Sequence, residues 1–338
     1  MTTMADQLQS AIAASGWAEN PPGDPQTGDE LITLLAGLYA IGRRDLPLAR
    51  LVEGHVDAVQ IVRRYGSAVQ VDRLGHALAR GATLGVWNAG LPGEALRLDG
   101  GWLSGGKSYA SGAGVLSHAL VTADTSAGLQ LLLLDLSRVP PMIDTDWWRV
   151  IGMQRSETHQ VRWDHAPVTD ADRIGQPGSY AREPFFSGGA LRFVAVHAGG
   201  VAGICDLCRD HLVKTGRADD PFQAARMTEL FALADGAAAI VRRTARLWFE
   251  DAKGGDEPRL SRVAGARLAV ADAAERAMVV AREAVGLAGQ FHSHPLSAML
   301  SDLAVYLRQP APDAQRLRVG HAVRQGLLVS SRSIVFLA

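Results

Sequence analysis

The apolar residues of this 338-residue chain change their period twice, and that change limits the folds open to it. From Asp29 to Gly81 they recur at helical spacing, as in Leu31, Leu34, Leu35, Leu38 and Ile41, then Val52, Val56, Val59, Ile61 and Val62. Pro47 and Gly66 punctuate the run into two or three helices. A short opening helix precedes it, followed by a linker from Asn20 to Gly28 with three prolines and two glycines.

From about Gly81 to Gly178 the pattern becomes short apolar runs, glycine pairs and tryptophans. The predicted strands are Thr83 to Asn88, Ala95 to Asp99, Gly101 to Ser104, Ser117 to Ala123, Leu129 to Asp135 and Gln160 to Pro167. They are closely spaced and lack helical crossovers, which predicts an antiparallel barrel or sandwich. Helical spacing returns over Phe193 to Val213, Pro221 to Asp251, Leu260 to Gly286, His294 to Tyr306 and Pro312 to Leu328. Pro221 is placed to open its helix and Gly254-Gly255 to end one. Long helices with short connections predict an antiparallel bundle. The expected fold class is therefore α+β and multidomain: N-terminal helices over 1–81, a central β-domain over 82–180 and a C-terminal helical bundle over 181–338.

Composition narrows the function. Hydrophobic residues make up 47% and charged residues 20%, which suits a globular chain. Lys plus Arg total 34 against 35 Asp plus Glu, so no overall field gathers nucleic acid or anionic lipid. Met1 to Gly16 lacks the basic start and apolar run of a signal peptide. The apolar stretch Leu129 to Leu136 is broken by Gln130 and Asp135 and is too short for a bilayer. The expectation is a cytoplasmic protein without nucleic-acid or membrane partners. Cys205 and Cys208 form a C-x-x-C pair within a helical run, with no second pair of soft ligands nearby, so packed thiols are expected rather than zinc. His292 and His294 are two apart, and imidazoles so spaced diverge unless the backbone is extended. No metal site is expected there.

Two segments of the β-domain carry a family resemblance. Leu103-Ser104-Gly105-Gly106-Lys107-Ser108-Tyr109-Ala110-Ser111-Gly112-Ala113 is one. Trp148-Arg149-Val150-Ile151-Gly152-Met153-Gln154-Arg155-Ser156-Glu157-Thr158, followed by the strand Val161 to Val168, is the other. Together with the helix–β–helix order, they resemble the acyl-CoA dehydrogenase superfamily of flavoenzymes from about Asp29 to Gly326. In the bundle, Arg192 with Gly199-Gly200 and Gly203 resembles the family's first long helix. Gly286-Leu287-Ala288-Gly289 through Pro295 and Asp302 resembles the glycine loop that lies against the flavin's phosphates.

The resemblance implies a flavin, FAD or alternatively FMN. It places Tyr109 and Ser111 on the positions that meet the ring. A flat ring with a polar edge needs an aromatic wall and hydrogen-bonding groups, and alternation along a strand would put these two residues on one face. Trp87 and Asn88 stand where relatives make polar flavin contacts, and a carboxamide both donates and accepts. Arg217 and Gln223, flanking Phe222, resemble residues that reach the dinucleotide across a subunit boundary. Gly286 and Gly289 would let backbone N–H groups approach a pyrophosphate. Each of these residues can also be read as packing or as a solvated loop group.

One expected part is missing. Removal of an α-proton from an acyl thioester needs a carboxylate base. In the family register Pro310 stands where the usual Glu belongs, and Ala190 and Leu191 occupy the rarer location. Asp313 and Glu283 are the nearest substitutes for a displaced base. Three functions follow from the resemblance. The first is an acyl-CoA dehydrogenase-like oxidoreductase acting on an acyl thioester or related small substrate. The second is a flavin monooxygenase served by a reductase or other electron-transfer partner. The third is a flavin-free member retained for binding. The N-terminal part reads as shorter than in relatives, and a homodimer or homotetramer is expected through the bundle.

Overall fold

The computed structural model describes residues 2–329, and the chain divides into two compact units. The first comprises Met1–Pro25, Ala40–Arg182 and Ser301–Val305; the second comprises Gln26–Tyr39, Glu183–Leu300 and Tyr306–Ala338. The last residues of the expected bundle, 330–338, lie outside the described residues.

Helices α1 (Met4–Ala14), α2 (Gly28–Gly42), α3 (Leu46–Tyr65) and α4 (Ala68–Ala79) match the expected N-terminal run. Asp45 caps α3 by accepting the Leu48 N–H at 3.0 Å, and Pro47 sits in its first turn, where a missing N–H does no harm. The proline-rich linker is tied to α3: Gln60 donates to the Gly23 carbonyl at 2.8 Å and Arg64 pairs with Asp24. Ala58, Val59, Ile61 and Val62 of α3 join Leu74 and Leu78 of α4 in one core against Leu84, Leu120, Leu131 and Ile174 of the sheet.

The strands are β1 (Leu84–Trp87), β2 (Arg97–Asp99), β3 (Trp102–Ala110), β4 (His118–Thr125), β5 (Gly128–Asp135), β6 (Met142–Asp144), β7 (His159–Pro167) and β8 (Arg173–Ile174). They form one sheet in the order β6-β7-β3-β2-β4-β5-β8, with β1 also on β4. Two expectations are corrected here. Among the described residues the sheet is open, not a closed barrel, because β6 and β8 each pair on one side only. It is also mixed: β1 runs parallel to β4 from Leu84↔His118 to Trp87↔Val121, and β2 meets β4 in parallel at Arg97↔Asp124. The long strand β4 offers one edge to both short strands in succession, a partnership that alternation within a strand does not encode.

In the second unit a four-residue helix, α5 (Phe185–Gly188), leads into α6 (Ala190–Lys214), α7 (Pro221–Asp251), α8 (Asp256–Val285), α9 (Pro295–Tyr306) and α10 (Pro312–Arg324). Residues Ser301–Val305 of α9 belong to the first unit. Asp220 caps α7 by accepting the N–H groups of Phe222 and Gln223, with Pro221 as its first residue. Val194, Ala198, Ala237, Val241, Ala245, Val263, Ala266 and Val270 form the bundle core with Leu35 of α2. The segment Phe185–Lys214 is long and apolar enough to cross a membrane, but 72% of its apolar window is buried in the protein. Cys208 lies in this buried face, where loss of hydration pushes its thiol up to about 12.

Candidate functional site

The two resemblance segments meet in the first unit. Ser111 follows the end of β3, and Thr158 precedes β7. Thr158 Oγ1 lies 3.0 Å from Ser111 Oγ and 2.8 Å from Ser156 Oγ, and Ser156 donates to the Met153 carbonyl at 2.7 Å. The Gly112 N–H donates to the Ser156 carbonyl at 2.9 Å, so backbone and side chains both hold the segments together. Ser111, Ser156 and Thr158 are all buried.

Tyr109 and Ser111 do not share a face as simple alternation requires. The ladder between β3 and β7 shifts between Lys107 and Ala110, and Tyr109 takes the left-handed backbone conformation at φ +52. The extra residue re-aims the side chains, as bulges do. Tyr109 is 58% exposed while Ser111 is buried. Tyr109 stands edge-on to Trp147, with ring centroids 4.9 Å apart, and near Trp148 at 6.2 Å. Trp147, a neighbour of the quoted segment, was not singled out by the sequence, where its only signal is the Trp-Trp pair.

The turn that carries the second segment is braced from several sides. Trp148 Nε1 donates to the Met153 carbonyl at 2.9 Å, and the Met153 N–H donates to the Asp302 carboxylate. Met153 and Glu157 both adopt left-handed backbone angles. Gly152 lies so close to α9 that a Cβ there would stand 2.1 Å from the Ser301 carbonyl oxygen. Burial raises the Asp302 carboxyl above its ordinary value, and the nearby Asp45 adds to this, against the Met153 hydrogen bond and Arg155. Arg155 is itself paired with Asp45 at 2.8 Å.

Trp87 is a core group. It is 1% exposed, and its Nε1 donates to the Ser111 carbonyl at 2.8 Å. That bond ties the end of β1 to the Ser111 segment, and it leaves Asn88, the next residue, half-buried beyond the strand end. Asn88 Oδ1 accepts from the Thr122 hydroxyl. The first unit also holds a cleft of about 510 Å³ whose walls include Trp87, Leu116, His118, Asp135, Arg80 and Ile143. Burial lowers the His118 imidazole, opposed by Asp135 and assisted by Arg80.

The remaining sequence candidates lie in the second unit. Arg217 is exposed in the connection before α7. Gln223 is 3% exposed, and its Oε1 is buried without a hydrogen-bond partner. Phe222, between them, is 74% exposed. Gly286 ends α8 at φ +71 with open space around its Cα, and Gly289 is buried against Val285 and Leu296. Glu283 and Asp313 are exposed carboxylates, the first 3.7 Å from Arg226 and the second 3.0 Å from Arg316 in the first turn of α10. Neither occupies the enclosed setting in which a base is tuned. Pro310 has its carbonyl bound by the Arg267 guanidinium. His294 Nδ1 accepts the Leu296 N–H at 3.2 Å and its Nε2 lies 3.1 Å from His211 Nδ1, which suits a helix start. No group of three or more metal-ligating side chains occurs among the described residues.

This architecture, helices and an open mixed sheet in one unit and a helical bundle in the other, is the acyl-CoA dehydrogenase fold. No protein-family model matches the chain, and no curated protein sequence does. Solved structures share its fold. The dibenzothiophene monooxygenase TdsC from Paenibacillus sp. A11-2, with FMN bound, superposes with a TM-score of 0.78 over 96% of this chain and 97% of that one, at 16% identity. Methanesulfinate monooxygenase MsuC from Pseudomonas fluorescens gives a TM-score of 0.75 over 97% and 98% of the two chains, at 18% identity. Glutaryl-coenzyme A dehydrogenase in complex with glutaryl-CoA gives 0.73 over 96% and 95%, at 17% identity.

Proposed function

We propose that the chain is a flavin-dependent oxidoreductase and, within that class, a monooxygenase that receives reduced FMN or FAD from a separate reductase. The observation that carries the flavin reading is the junction of the Ser111 and Thr158 segments. It joins the buried Ser111 hydroxyl after β3 to the end of β1, where Trp87 Nε1 donates to the Ser111 carbonyl and Asn88 follows in the chain; the exposed Tyr109 stands two residues before Ser111. Among the described residues Ser111 Oγ has one hydrogen-bond partner, Thr158, from which it accepts, so its own proton stays available to a ligand. This donor set suits the edge of a flat ring that mixes carbonyls and nitrogens. FMN would need only these groups and a phosphate contact. Within the second unit, Arg217, Gln223, Gly286 and Gly289 are the proposed dinucleotide contacts if the flavin is FAD, and Gln223 carries an orphaned buried oxygen.

Reduced flavin, when bound, supplies the electrons for activating oxygen. The choice of oxygenase over dehydrogenase rests on Pro310, Ala190 and Leu191, none of which can take a proton, and on the surface ion pairs of Glu283 and Asp313. The likeness to TdsC and MsuC points the same way. The 510 Å³ cleft beside Trp87 supports a small-molecule substrate. A second copy of the chain is the proposed partner, supported by the exposed Phe231 of α7 and Val279 of α8.

The test couples the protein to a flavin reductase, NADH and FMN, and offers dibenzothiophene or methanesulfinate under air. Oxygen-dependent product is expected from at least one such probe. Rapid anaerobic bleaching of protein-bound flavin by glutaryl-CoA, with no oxygenated product, would instead establish dehydrogenase chemistry.

A further inference from the structure

Lys107 carries an ammonium group into the sheet: the residue is only 5% exposed. It sits on β3 opposite Val161 of β7. Its Nζ lies 2.9 Å from Thr122 Oγ1 and 3.4 Å from the Asn88 carbonyl oxygen. The same Thr122 hydroxyl meets Asn88 Oδ1. These three contacts fix a direction. A protonated lysine has three donors and no acceptor, so the Thr122 oxygen must accept from it. Its single proton is directed to Asn88, whose Oδ1 accepts it. Asn88 Oδ1 thus has a donor facing it, which a flipped carboxamide would give up. The NH2 end is turned away from Thr122.

We propose that Lys107, acting through Thr122, is a positioning residue that holds the Asn88 carboxamide with its NH2 group presented outward, so that the ligand atom Asn88 recognises is a hydrogen-bond acceptor. This rests on the flavin reading of the site. On a flavin edge it assigns Asn88 to a carbonyl oxygen or an unprotonated ring nitrogen and excludes the ring N–H.

The relay depends on the charge of Lys107. Loss of hydration lowers the ammonium to about 8, opposed by the carboxylate of Asp124, two residues beyond Thr122 on β4. Above that pH the neutral amine gains a lone pair and can accept from Thr122. The Thr122 oxygen is then free to accept from Asn88, and the flipped carboxamide becomes available. The orienting effect is therefore present below the lysine's value and is lost as pH rises through it.

Two measurements on the full-length protein test this. In protein labelled with [15N]asparagine, the side-chain NH2 signals of Asn88, identified by their loss in Asn88→Asp, are followed from pH 6 to 9.5. They are expected to titrate with a midpoint near 8 in the wild type and to stay flat in Lys107→Met. In parallel, FMN affinity is measured by equilibrium dialysis across the same range. It is expected to fall by about two- to tenfold above the midpoint in the wild type, the worth of one hydrogen bond. Thr122→Val is expected to bind weakly at every pH, whereas Thr122→Ser keeps the hydroxyl and the wild-type profile. Flat Asn88 signals in the wild type, or a folded Thr122→Val protein with wild-type affinity and pH profile, would overturn the proposal. Titrating Asn88 signals in a protein that binds no FMN would leave the positioning role standing and remove the flavin reading.

Discussion

Thr158 Oγ1 lies 3.0 Å from Ser111 Oγ, joining two residues 47 positions apart in the chain. The contact is buried, and each hydroxyl belongs to a different motif segment. It is the point at which two stretches recognisable in the sequence become one surface.

Replacing Ser111 by Ala is expected to weaken FMN binding by about 0.5–1.5 kcal/mol, the net worth of one hydrogen bond. Thr158→Val is expected to have a similar effect by releasing Ser111. Because the two share one contact, the double variant should lose less than the sum of the singles. Equilibrium dialysis of the three variants measures this, and strict additivity would show that the pair does not act together.

Gly152→Ala is expected to destabilise the first unit by about 3 kcal/mol or more, since the added methyl would overlap the Ser301 carbonyl at 2.1 Å and backbone on both sides must shift. Urea denaturation monitored by tryptophan fluorescence gives the value. A loss below about 1 kcal/mol would mean that the turn and α9 separate easily.

Acid sensitivity follows from two buried histidines. Burial lowers His55 from 6.5 to about 4 and His197 from 6.5 to about 3. His55 Nδ1 also accepts the Leu84 N–H at 3.2 Å, a bond its protonated form cannot keep. The folded protein holds fewer protons than the unfolded chain below pH 6.5, so stability is full above that value. It falls as pH drops towards about 4 for His55 and about 3 for His197, by about 1.4 kcal/mol per pH unit for each. His197→Leu is expected to flatten the stability–pH curve by one such increment between pH 6 and 4. An unchanged slope would show that His197 does not titrate with unfolding.

The helices were legible because their apolar period is set locally, and Asp220-Pro221 marks a start that the structure reproduces. The strands were legible as segments but not as partners, since nothing in Leu84 to Trp87 or Arg97 to Asp99 says that both run parallel to β4. The Tyr109–Ser111 pair misled because a single left-handed residue at a ladder shift breaks the alternation on which the reading depended. Lys107 carried a signal, a cation in an otherwise uncharged strand. Its meaning required Thr122 of β4, which only the folded sheet brings to 2.9 Å from the lysine Nζ.

The exposed apolar residues on α7 and α8 give a prediction for assembly. Phe231 and Val279 are 64% and 42% exposed. Such groups on a bundle surface suit burial against another subunit. Light scattering at micromolar concentration is expected to report a dimer or tetramer, and Phe231→Glu is expected to shift it towards monomer. A monomeric wild type would remove the second copy as a partner.

The proposed flavin site includes the Ser111–Thr158 junction, and equilibrium dialysis of the purified protein against FMN and FAD, oxidised in air and reduced under nitrogen, tests it. Saturable binding of at least one form, weakened in Ser111→Ala, is the expected result. No binding of either flavin in either oxidation state, by protein shown to be folded by circular dichroism, would contradict it.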